Sequence, residues 1–352
     1  MTRLAIVGAS VRAAAQSALR AGFEVVGADL FADADLDGVC PIAKVDDYPD
    51  GLVDWLAAQE IDAWMYTGAL ENYPELVDRM AAIAPLWGVS GAALRRCRDP
   101  LALQEVCREA GVAFPETLPP GDTPASPDGW LAKTYCHSNG AGVCRLEENE
   151  HAGAYAQRLV EGESLAAIYA LTETRPRLLG LTRQLLGEGW GYRGSIGPVQ
   201  PTAKPSEQLT RLGWLLHEAL GLRGLVGVDL IDHAGVLHLI EINPRYTASV
   251  EVLERAAGRS ALSCLDEATA GPWSFGQTLH GKRVVYAKEP LTITPELDAW
   301  MAEEQATGRL ADRPRLGEVI SAGAPVCTWF AKGSDYETAS DLLSHTAMGA
   351  GR

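Results

Sequence analysis

The stretch of sequence that decides the fold reads Leu237-His238-Leu239-Ile240-Glu241-Ile242-Asn243-Pro244-Arg245. Residues two apart in an extended strand face the same side, so Glu241, Asn243 and, approximately, Arg245 share one face. A carboxylate and an amide on an otherwise apolar strand are unfavourable unless something pairs them. The stretch therefore predicts a polar site, and the alternative is a surface hairpin that turns these residues to water.

A second strand comes just before this one and contributes a further carboxylate. Residues 226–231 and 236–242 both read as strands, and Asp232-His233-Ala234-Gly235 between them is a hairpin signal. Antiparallel pairing would bring Asp229 level with Glu241, and two adjacent carboxylates repel unless they share a cation or a proton. Oxygen ligands from Asp229, Glu241 and Asn243 suit Mg²⁺ completed by substrate phosphates, and Mn²⁺ is also compatible. Arg245 would stabilise charge developing on a transferred phosphoryl group.

Composition and charge narrow the class of protein. The chain has 352 residues and a net charge of −16, with no cluster of Lys and Arg, so no nucleic acid and no anionic membrane is expected as a partner. No apolar run approaches the roughly 20 residues that span a bilayer. The seven scattered cysteines lack a C-x-x-C pair, which argues against disulfides and zinc and favours buried thiols. We therefore expect a cytoplasmic protein of two or three domains.

Residues 1–90 read as an open, parallel α/β domain. An apolar run at 3–8, an Ala-rich helical stretch to residue 20 and a second apolar run at 23–29 predict a βαβ unit. The first turn lacks the G-x-G-x-x-G spacing, so a nicotinamide dehydrogenase is a poor interpretation. Open α/β sheets bind ligands at the carboxyl ends of their strands, which makes Arg12, Glu71 and Asn72 candidate substrate residues. A solvated arginine and helix-capping side chains are the alternatives.

The middle of the chain carries two further candidate segments. Residues 94–117 have a helical pattern that Pro115 closes, and a strand ending at Lys133 then runs into a loop of small residues at 137–143. Successive backbone N–H groups in a glycine-rich turn form a concavity that binds anions. Arg193 and Ser195 lie in the Gly- and aromatic-rich stretch 190–198, where an arginine is able to grip a substrate carboxylate. An ordinary turn is the alternative there.

These segments together resemble the ATP-grasp superfamily, whose familiar members are biotin carboxylases and D-alanine–D-alanine ligases. Asp229 with Glu241-x-Asn243-x-Arg245 looks like the superfamily's magnesium-binding hairpin, and Lys133 with the following loop is similar to its K-P…GGxGV segment. The resemblance implies that Lys133 reaches the nucleotide phosphates and that the loop closes over them. The loop residues concerned are Ser138, Asn139, Gly140 and Gly142.

Residues 157–163 resemble the superfamily's interlobe hinge, E-x-h-h-x-G-x-E. The resemblance implies that backbone groups near Leu159 and Val160 read the adenine and that Glu163 holds the ribose. Gln157 replaces the usual glutamate and suits a contact with the adenine amino group. Towards the end of the chain, residues 311–317 and 325–328 are similar to predicted ATP-dependent carboligases related to biotin carboxylase.

One position departs from the family pattern. Many members carry a phosphate-binding lysine in an Asp-Lys pair after the N-terminal domain, where this chain reads Arg98-Asp99-Pro100. The lysine is therefore absent, and either Arg98 takes its place or the activity is altered.

The resemblance implies an α/β (α+β) fold in which a two-lobed ATP-grasp domain at 91–270 follows the N-terminal domain at 1–90. Within it, the smaller lobe spans about 115–165 and the metal hairpin spans 226–245, and a strand-rich region at 271–352 completes the large lobe.

The activity implied is that of an ADP-forming ligase that uses ATP and Mg²⁺. A carboxylate attacks the γ-phosphorus, and an amine then displaces phosphate from the acyl phosphate, with Lys133 and Arg245 as the catalytic cations. The expected partners are small-molecule carboxylates and amines, in amino acid or cofactor biosynthesis, and a homodimer is compatible with the sequence. The alternatives are a bicarbonate-activating carboxylase like biotin carboxylase and an ATP-binding protein that has lost catalysis.

Overall fold

The N-terminal part of the chain alternates strands and helices. The computed structural model describes residues 1–136, 140–148, 153–201, 203–266 and 271–344. Its first elements are β1 (Arg3–Val7), α1 (Arg12–Arg20), β2 (Glu24–Asp29), β3 (Ile42–Lys44), α2 (Gly51–Ala57), β4 (Ala63–Tyr66) and α3 (Pro74–Ala81). The four strands form a parallel sheet in the order β3-β2-β1-β4. The predicted parallel α/β domain is confirmed, and β1 is a continuous apolar run because both of its faces are covered.

Two short helices connect this sheet to the rest of the chain, α4 (Gly91–Cys97) and α5 (Pro100–Ala110). The expectation of one helix over 94–117 is wrong. Asp99 accepts a hydrogen bond from the Leu101 N–H at 2.9 Å and Pro100 takes the first helical position, so a new helix begins there. That helix ends at Gly111, whose φ of 72° is the left-handed conformation that favours glycine.

The smaller lobe is an antiparallel sheet of four short strands. They are β5 (Thr117–Leu118), β6 (Trp130–Lys133), β7 (Val143–Arg145) and β8 (Tyr155–Arg158), in the order β5-β8-β6-β7. Lys133 is thus the last residue of β6, a strand whose four residues are all buried.

The larger lobe is an eight-stranded antiparallel sheet. Its elements in chain order are β9 (Glu163–Leu171), β10 (Pro176–Leu186), β11 (Tyr192–Val199), α6 (Ala203–Glu218), β12 (Gly224–His233), β13 (Val236–Asn243), α7 (Ala248–Ala257), β14 (Leu279–Tyr286), β15 (Leu291–Thr292), α8 (Pro295–Ala306), β16 (Leu310–Ala311), β17 (Val319–Ile320), β18 (Pro325–Gly333) and α9 (Tyr336–Ser344). The strand order is β13-β12-β9-β10-β11-β14-β18-β16, and β15 pairs with β17 apart from it. The C-terminal strands therefore extend the same sheet that carries the hairpin. Among the described residues, no helix is long and apolar enough to cross a membrane.

The register of the hairpin decides which side chains meet. Strands β12 and β13 pair antiparallel, with Asp229 opposite Glu241 and Gly227 opposite Asn243. The prediction that the two carboxylates lie level with each other is confirmed. A register irregularity follows directly after Asp229, at the step to Leu230.

A buried arginine ties the N-terminal domain to the larger lobe. Arg12, at the start of α1, is 1% exposed, so its interpretation as a solvated side chain is wrong. Its guanidinium donates to Glu251 in α7, to Asp312 after β16 and to Gln16 in its own helix. These contacts hold α1 against the large sheet and so fix where the loops of the parallel sheet lie.

Candidate active site

The buried carboxylate of Asp229 accepts its hydrogen bonds from neutral amides rather than from a cation. Oδ2 of Asp229 accepts a hydrogen bond from the Asn243 amide at 2.9 Å, and Oδ1 accepts one from the Gln184 amide at 2.9 Å. Burial, and secondly the charge of Glu241, raise the pKa of Asp229 to about 7. A cation between these groups would remove the repulsion that raises this pKa.

The donor set fits a hard divalent cation. Asp229, Glu241 and Asn243 offer oxygen only, the ligand that Mg²⁺ and Mn²⁺ prefer. In the part of the chain that the structure describes, no group of three or more His, Cys, Asp and Glu residues is placed to hold a metal by itself. Two carboxylates and an amide are instead the partial set that Mg²⁺ takes when phosphates and water complete its shell. The residues present therefore fit the ion that the motif implies.

Arg245 is held beside this set by the N-terminal domain. Its Nε donates to Oε1 of Glu71 at 2.6 Å, and its Nη2 donates to the side-chain amide oxygen Oδ1 of Asn243 at 3.2 Å. Glu71 is buried in the loop after β4, so its carboxylate orients the arginine. Glu71 was predicted to contact substrate, and in this structure it is the counter-ion of Arg245.

Arg98 makes the second link between the N-terminal domain and the hairpin. Its Nη1 donates to Oε1 of Glu241 at 2.7 Å, and its Nη2 donates to Oδ1 of Asn72 at 3.0 Å. Asn72, also a predicted substrate residue, thus contacts an arginine of the site. The loop at 70–72 therefore supplies one partner to each arginine.

Lys133 reaches the hairpin from the smaller lobe. Its Nζ donates to the Gln157 side-chain oxygen at 3.1 Å and to the backbone oxygen of Ile240 at 3.3 Å. Burial lowers the pKa of Lys133, while the nearby charges of Glu241 and Asp229 act in the opposite direction. The lysine is therefore confined to the junction of the two lobes, beside the residue that precedes Glu241.

A cavity between the lobes joins these groups. Lys133, Glu241 and Arg98 share its wall with Gly140 and Gly142, the described members of the predicted phosphate loop. Ser138 and Asn139 lie outside the described residues. The apolar part of the wall is formed by side chains that include Cys97, Pro100, Leu103, Phe114, Val143, Tyr155, Ile240 and Ile242. The cavity thus combines charged side chains at the hairpin with largely apolar walls, which suits a ligand that has both an anionic and an apolar part.

Gly140 shows why this loop needs glycine. Its φ of 75° is in the left-handed region, and a Cβ added there would lie 2.8 Å from the backbone oxygen of Trp190. Gly140 therefore packs closely against the turn between β10 and β11, and a larger residue at this position would have to displace one of the two.

The predicted hinge residues are placed differently from the phosphate residues. The Gln157 amide is engaged at both ends, by Lys133 and by Thr117 Oγ1 at 3.1 Å, rather than turned to an adenine. The Leu159 N–H donates to the backbone oxygen of Gly129 at 2.9 Å, and Glu163 pairs with Arg183. Leu159, Val160 and Glu163 are not among the residues that line the cavity. Their roles towards adenine and ribose stay predictions.

The structure keeps the three other predicted substrate residues away from the cavity. The nitrogens of Arg12 are all engaged by Glu251, Asp312 and Gln16, as described above. The guanidinium of Arg193 lies 4.0 Å from the centre of the Tyr286 ring. Ser195 is fully buried, and its Oγ lies 3.0 Å from the Oγ of Ser249. A substrate would reach any of the three only after these contacts break.

Gln184 is a site residue that the sequence does not reveal. It lies on β10, and no motif or local pattern marks it. The sheet order places β10 two strands away from β12, and the amide spans that distance to Asp229. Only the strand order of the folded sheet places Gln184 near Asp229.

Comparison with known proteins agrees with the fold. Residues 97–249 match the family model described as the ATP-grasp domain. Over this part of the chain, the match agrees with the ATP-grasp resemblance that the motifs indicate. An uncharacterized protein of Methanocaldococcus jannaschii is 23% identical over 177 residues, which cover 50% of this chain and 42% of that one. Carbamoyl phosphate synthase large chain of Pasteurella multocida is 24% identical over 144 residues, 39% of this chain and 13% of that one. This chain spans less than half the length of both curated relatives.

Solved structures resemble the chain along nearly all of its length. The ADP complex of an N5-carboxyaminoimidazole ribonucleotide synthetase has a TM-score of 0.75 and 16% identity, over 97% of this chain and 95% of that one. An L-amino acid ligase from Bacillus licheniformis has a TM-score of 0.71 and 16% identity, over 98% of this chain and 96% of that one. A third structure is the biotin carboxylase domain of Hydrogenobacter thermophilus 2-oxoglutarate carboxylase, solved with MgADP and bicarbonate. It has a TM-score of 0.73 and 14% identity, over 96% of this chain and 88% of that one. At such identities the likeness establishes the fold, and the named activities belong to those proteins.

Proposed function

We propose that this protein is an ADP-forming ligase that uses ATP and Mg²⁺ to join a small-molecule carboxylate to an amine. One observation carries the proposal: Lys133, Arg98 and Glu241 line one cavity, and Asp229 lies directly opposite Glu241 on the neighbouring strand. The cations suit the phosphates of a nucleoside triphosphate, and the carboxylates suit a divalent ion bound to those phosphates.

The proposed reaction has two steps. A carboxylate oxygen of the substrate bonds to the γ-phosphorus, the bond to the bridging oxygen breaks and ADP leaves. The amine nitrogen then bonds to the acyl carbon, phosphate leaves with the C–O bond electrons, and the amine gives up one proton. The protein contributes position and charge at both steps rather than a covalent intermediate of its own.

The chain's own residues divide this work between the two lobes. Asp229, Glu241 and Asn243 would hold the metal ion, which when bound neutralises charge on the phosphate oxygens. Lys133 would contact the phosphates from the smaller lobe. Arg245, kept in place by Glu71 at 2.6 Å, would stabilise negative charge where the transferred group passes.

The experiment is to measure ADP and phosphate release with panels of carboxylates, including amino acids, and of amines. We expect release that needs Mg²⁺, a carboxylate and an amine together, with mass spectrometry identifying the amide. The metal assignment is tested with the double variant Asp229→Asn with Glu241→Gln, which keeps side-chain size and should lose the magnesium-dependent turnover. Retained magnesium-dependent turnover in that variant would refute the metal assignment.

A carboxylase that activates bicarbonate is the second candidate, favoured by the fold shared with the biotin carboxylase domain. The same assay separates the two, because labelled bicarbonate would then enter the product without any amine. Tight ATP binding with no turnover across both panels and bicarbonate would reject both enzymatic proposals and favour a nucleotide-binding protein without catalysis.

A further inference from the structure

Arg98 lies two residues before Pro100, the position at which many members of the ATP-grasp superfamily have a phosphate-binding lysine. It caps the C-terminus of α4, directly before the Asp99-Pro100 start of α5. Pro100 lines the cavity and has no side-chain charge. A cation that replaces the lysine must therefore come from another residue, and Arg98, two residues earlier, lines the same cavity.

The contacts of Arg98 leave it able to change partners. Its side chain is 16% exposed, with Nη1 on Glu241 and Nη2 on Asn72, and its Nε has no hydrogen-bond partner within the described residues. It lines the cavity of Lys133 and also a second cavity towards the N-terminal domain, walled by residues that include Pro74 and Leu94. A ligand in the first cavity would therefore meet the guanidinium directly.

Glu241 cannot serve Arg98 and a metal ion equally well. A divalent cation on this carboxylate would repel the guanidinium, whose Nη1 lies 2.7 Å from Oε1. Triphosphate oxygens offer the guanidinium a new partner, because its planar fork matches phosphate geometry. When both the metal ion and the triphosphate are bound, the favourable partner of Arg98 is therefore a phosphate group rather than the Glu241 carboxylate.

We propose that Arg98 is a phosphate-contacting residue that exchanges Glu241 for the nucleotide, so that nucleotide binding releases Glu241 to the metal ion. This inference rests on the proposed function, because it presupposes that ATP and a divalent ion share the cavity. Without nucleotide, Arg98 neutralises Glu241 and competes with the metal. With nucleotide, the same residue holds the phosphates, and the link to Asn72 connects the exchange to the N-terminal domain.

The exchange predicts opposite effects on two ligands in Arg98→Met, which keeps the aliphatic stem and removes the charge. ATP without divalent metal should bind about tenfold or more weakly, whereas adenosine, which has no phosphates, should bind as before. Mn²⁺ without nucleotide should bind more tightly, because its carboxylate ligand no longer has a competing guanidinium. A residue with a purely structural role would weaken both ligands or neither.

The test uses calorimetry for ATP and adenosine in chelator, and the electron paramagnetic resonance signal of free Mn²⁺ for the metal. Arg98→Lys keeps the charge without the fork and should recover part of the ATP affinity. Arg95→Met is the matched control, because Arg95 lies on the same helix, pairs with Glu75 and Asp78 and does not touch Glu241. It should change neither affinity.

Each outcome decides the matter. The exchange is overturned if Arg98→Met has the same ratio of ATP to adenosine affinity as the wild type. It is also overturned if Arg98→Met binds Mn²⁺ more weakly than the wild type does. If Arg98→Met does not fold, the comparison passes to Arg98→Lys, where full wild-type affinity for ATP and for Mn²⁺ would overturn it. Wild-type protein that binds no ATP would reject the proposed function as well, whereas ATP-binding wild type with an unaffected variant rejects only the role of Arg98.

Discussion

Replacing Arg12 by methionine tests whether this residue clamps the fold together or binds a substrate. The side chain is 1% exposed, and it joins carboxylates from two distant parts of the chain, Glu251 through Nη2 at 3.1 Å and Asp312 through Nε at 2.7 Å. Methionine fills a similar volume but leaves these carboxylates without their guanidinium. Removal of one partner from a buried ion pair costs about 3–5 kcal/mol.

The structure places the expected loss at the lower end of that range. Glu251 keeps a second cation, because the Lys282 ammonium lies 2.7 Å from its Oε2. Asp312 is partly exposed, with a side-chain accessibility of 25%, so water solvates some of its charge. We therefore expect Arg12→Met to lower the free energy of unfolding by about 3 kcal/mol.

The measurement is urea-induced unfolding followed by circular dichroism and tryptophan fluorescence. Arg108→Met serves as the control, because Arg108 pairs with Glu105 on the exposed surface of α5 and its loss should leave the free energy of unfolding nearly unchanged. A loss below about 1 kcal/mol in Arg12→Met, together with a loss of ligase activity, would refute the clamp. It would restore Arg12 as a substrate-binding residue.

Three further variants probe the phosphate site, a turn and a half-buried histidine. Lys133→Met should weaken ATP binding in calorimetry by about 1.5–3 kcal/mol through one lost charge-assisted hydrogen bond, and unchanged affinity would exclude a phosphate contact. Gly8→Ala should lower the free energy of unfolding by more than about 1 kcal/mol, because φ is 155° and the new Cβ would meet Thr67 Oγ1; full stability would contradict this. Burial, and secondly Lys332, lower the pKa of His280 from 6.5 to about 4. The unfolded chain takes up this proton first, so the stability from a neutral His280 is present above pH 6.5 and is lost as pH falls towards 4. Between pH 7 and 4.5, the free energy of unfolding of the wild type should therefore fall by about 1 kcal/mol more than that of His280→Gln, after allowance for the partial exposure of the ring. The same dependence of this free energy on pH in both proteins would exclude the effect.

The sequence by itself determined the hairpin and its chemistry. The period of two puts Glu241 and Asn243 on one face, and the turn at 232–235 is short enough to fix the pairing, so Asp229 follows from local pattern alone. The same holds for Lys133, which ends a short strand before a glycine loop. Local rules sufficed because each of these relations spans one strand or one turn.

Only the tertiary structure decided which charges meet across the fold. Arg98 and Glu241 are 143 residues apart, and Gln184 and Asp229 are 45 apart. Arg12, which the sequence assigns to a ligand-binding loop, is instead buried against α7. These contacts depend on strand order and on how the parallel sheet docks on the antiparallel one. A sequence does not display that docking, because it results from the packing of apolar faces that many side chains share rather than from a local period.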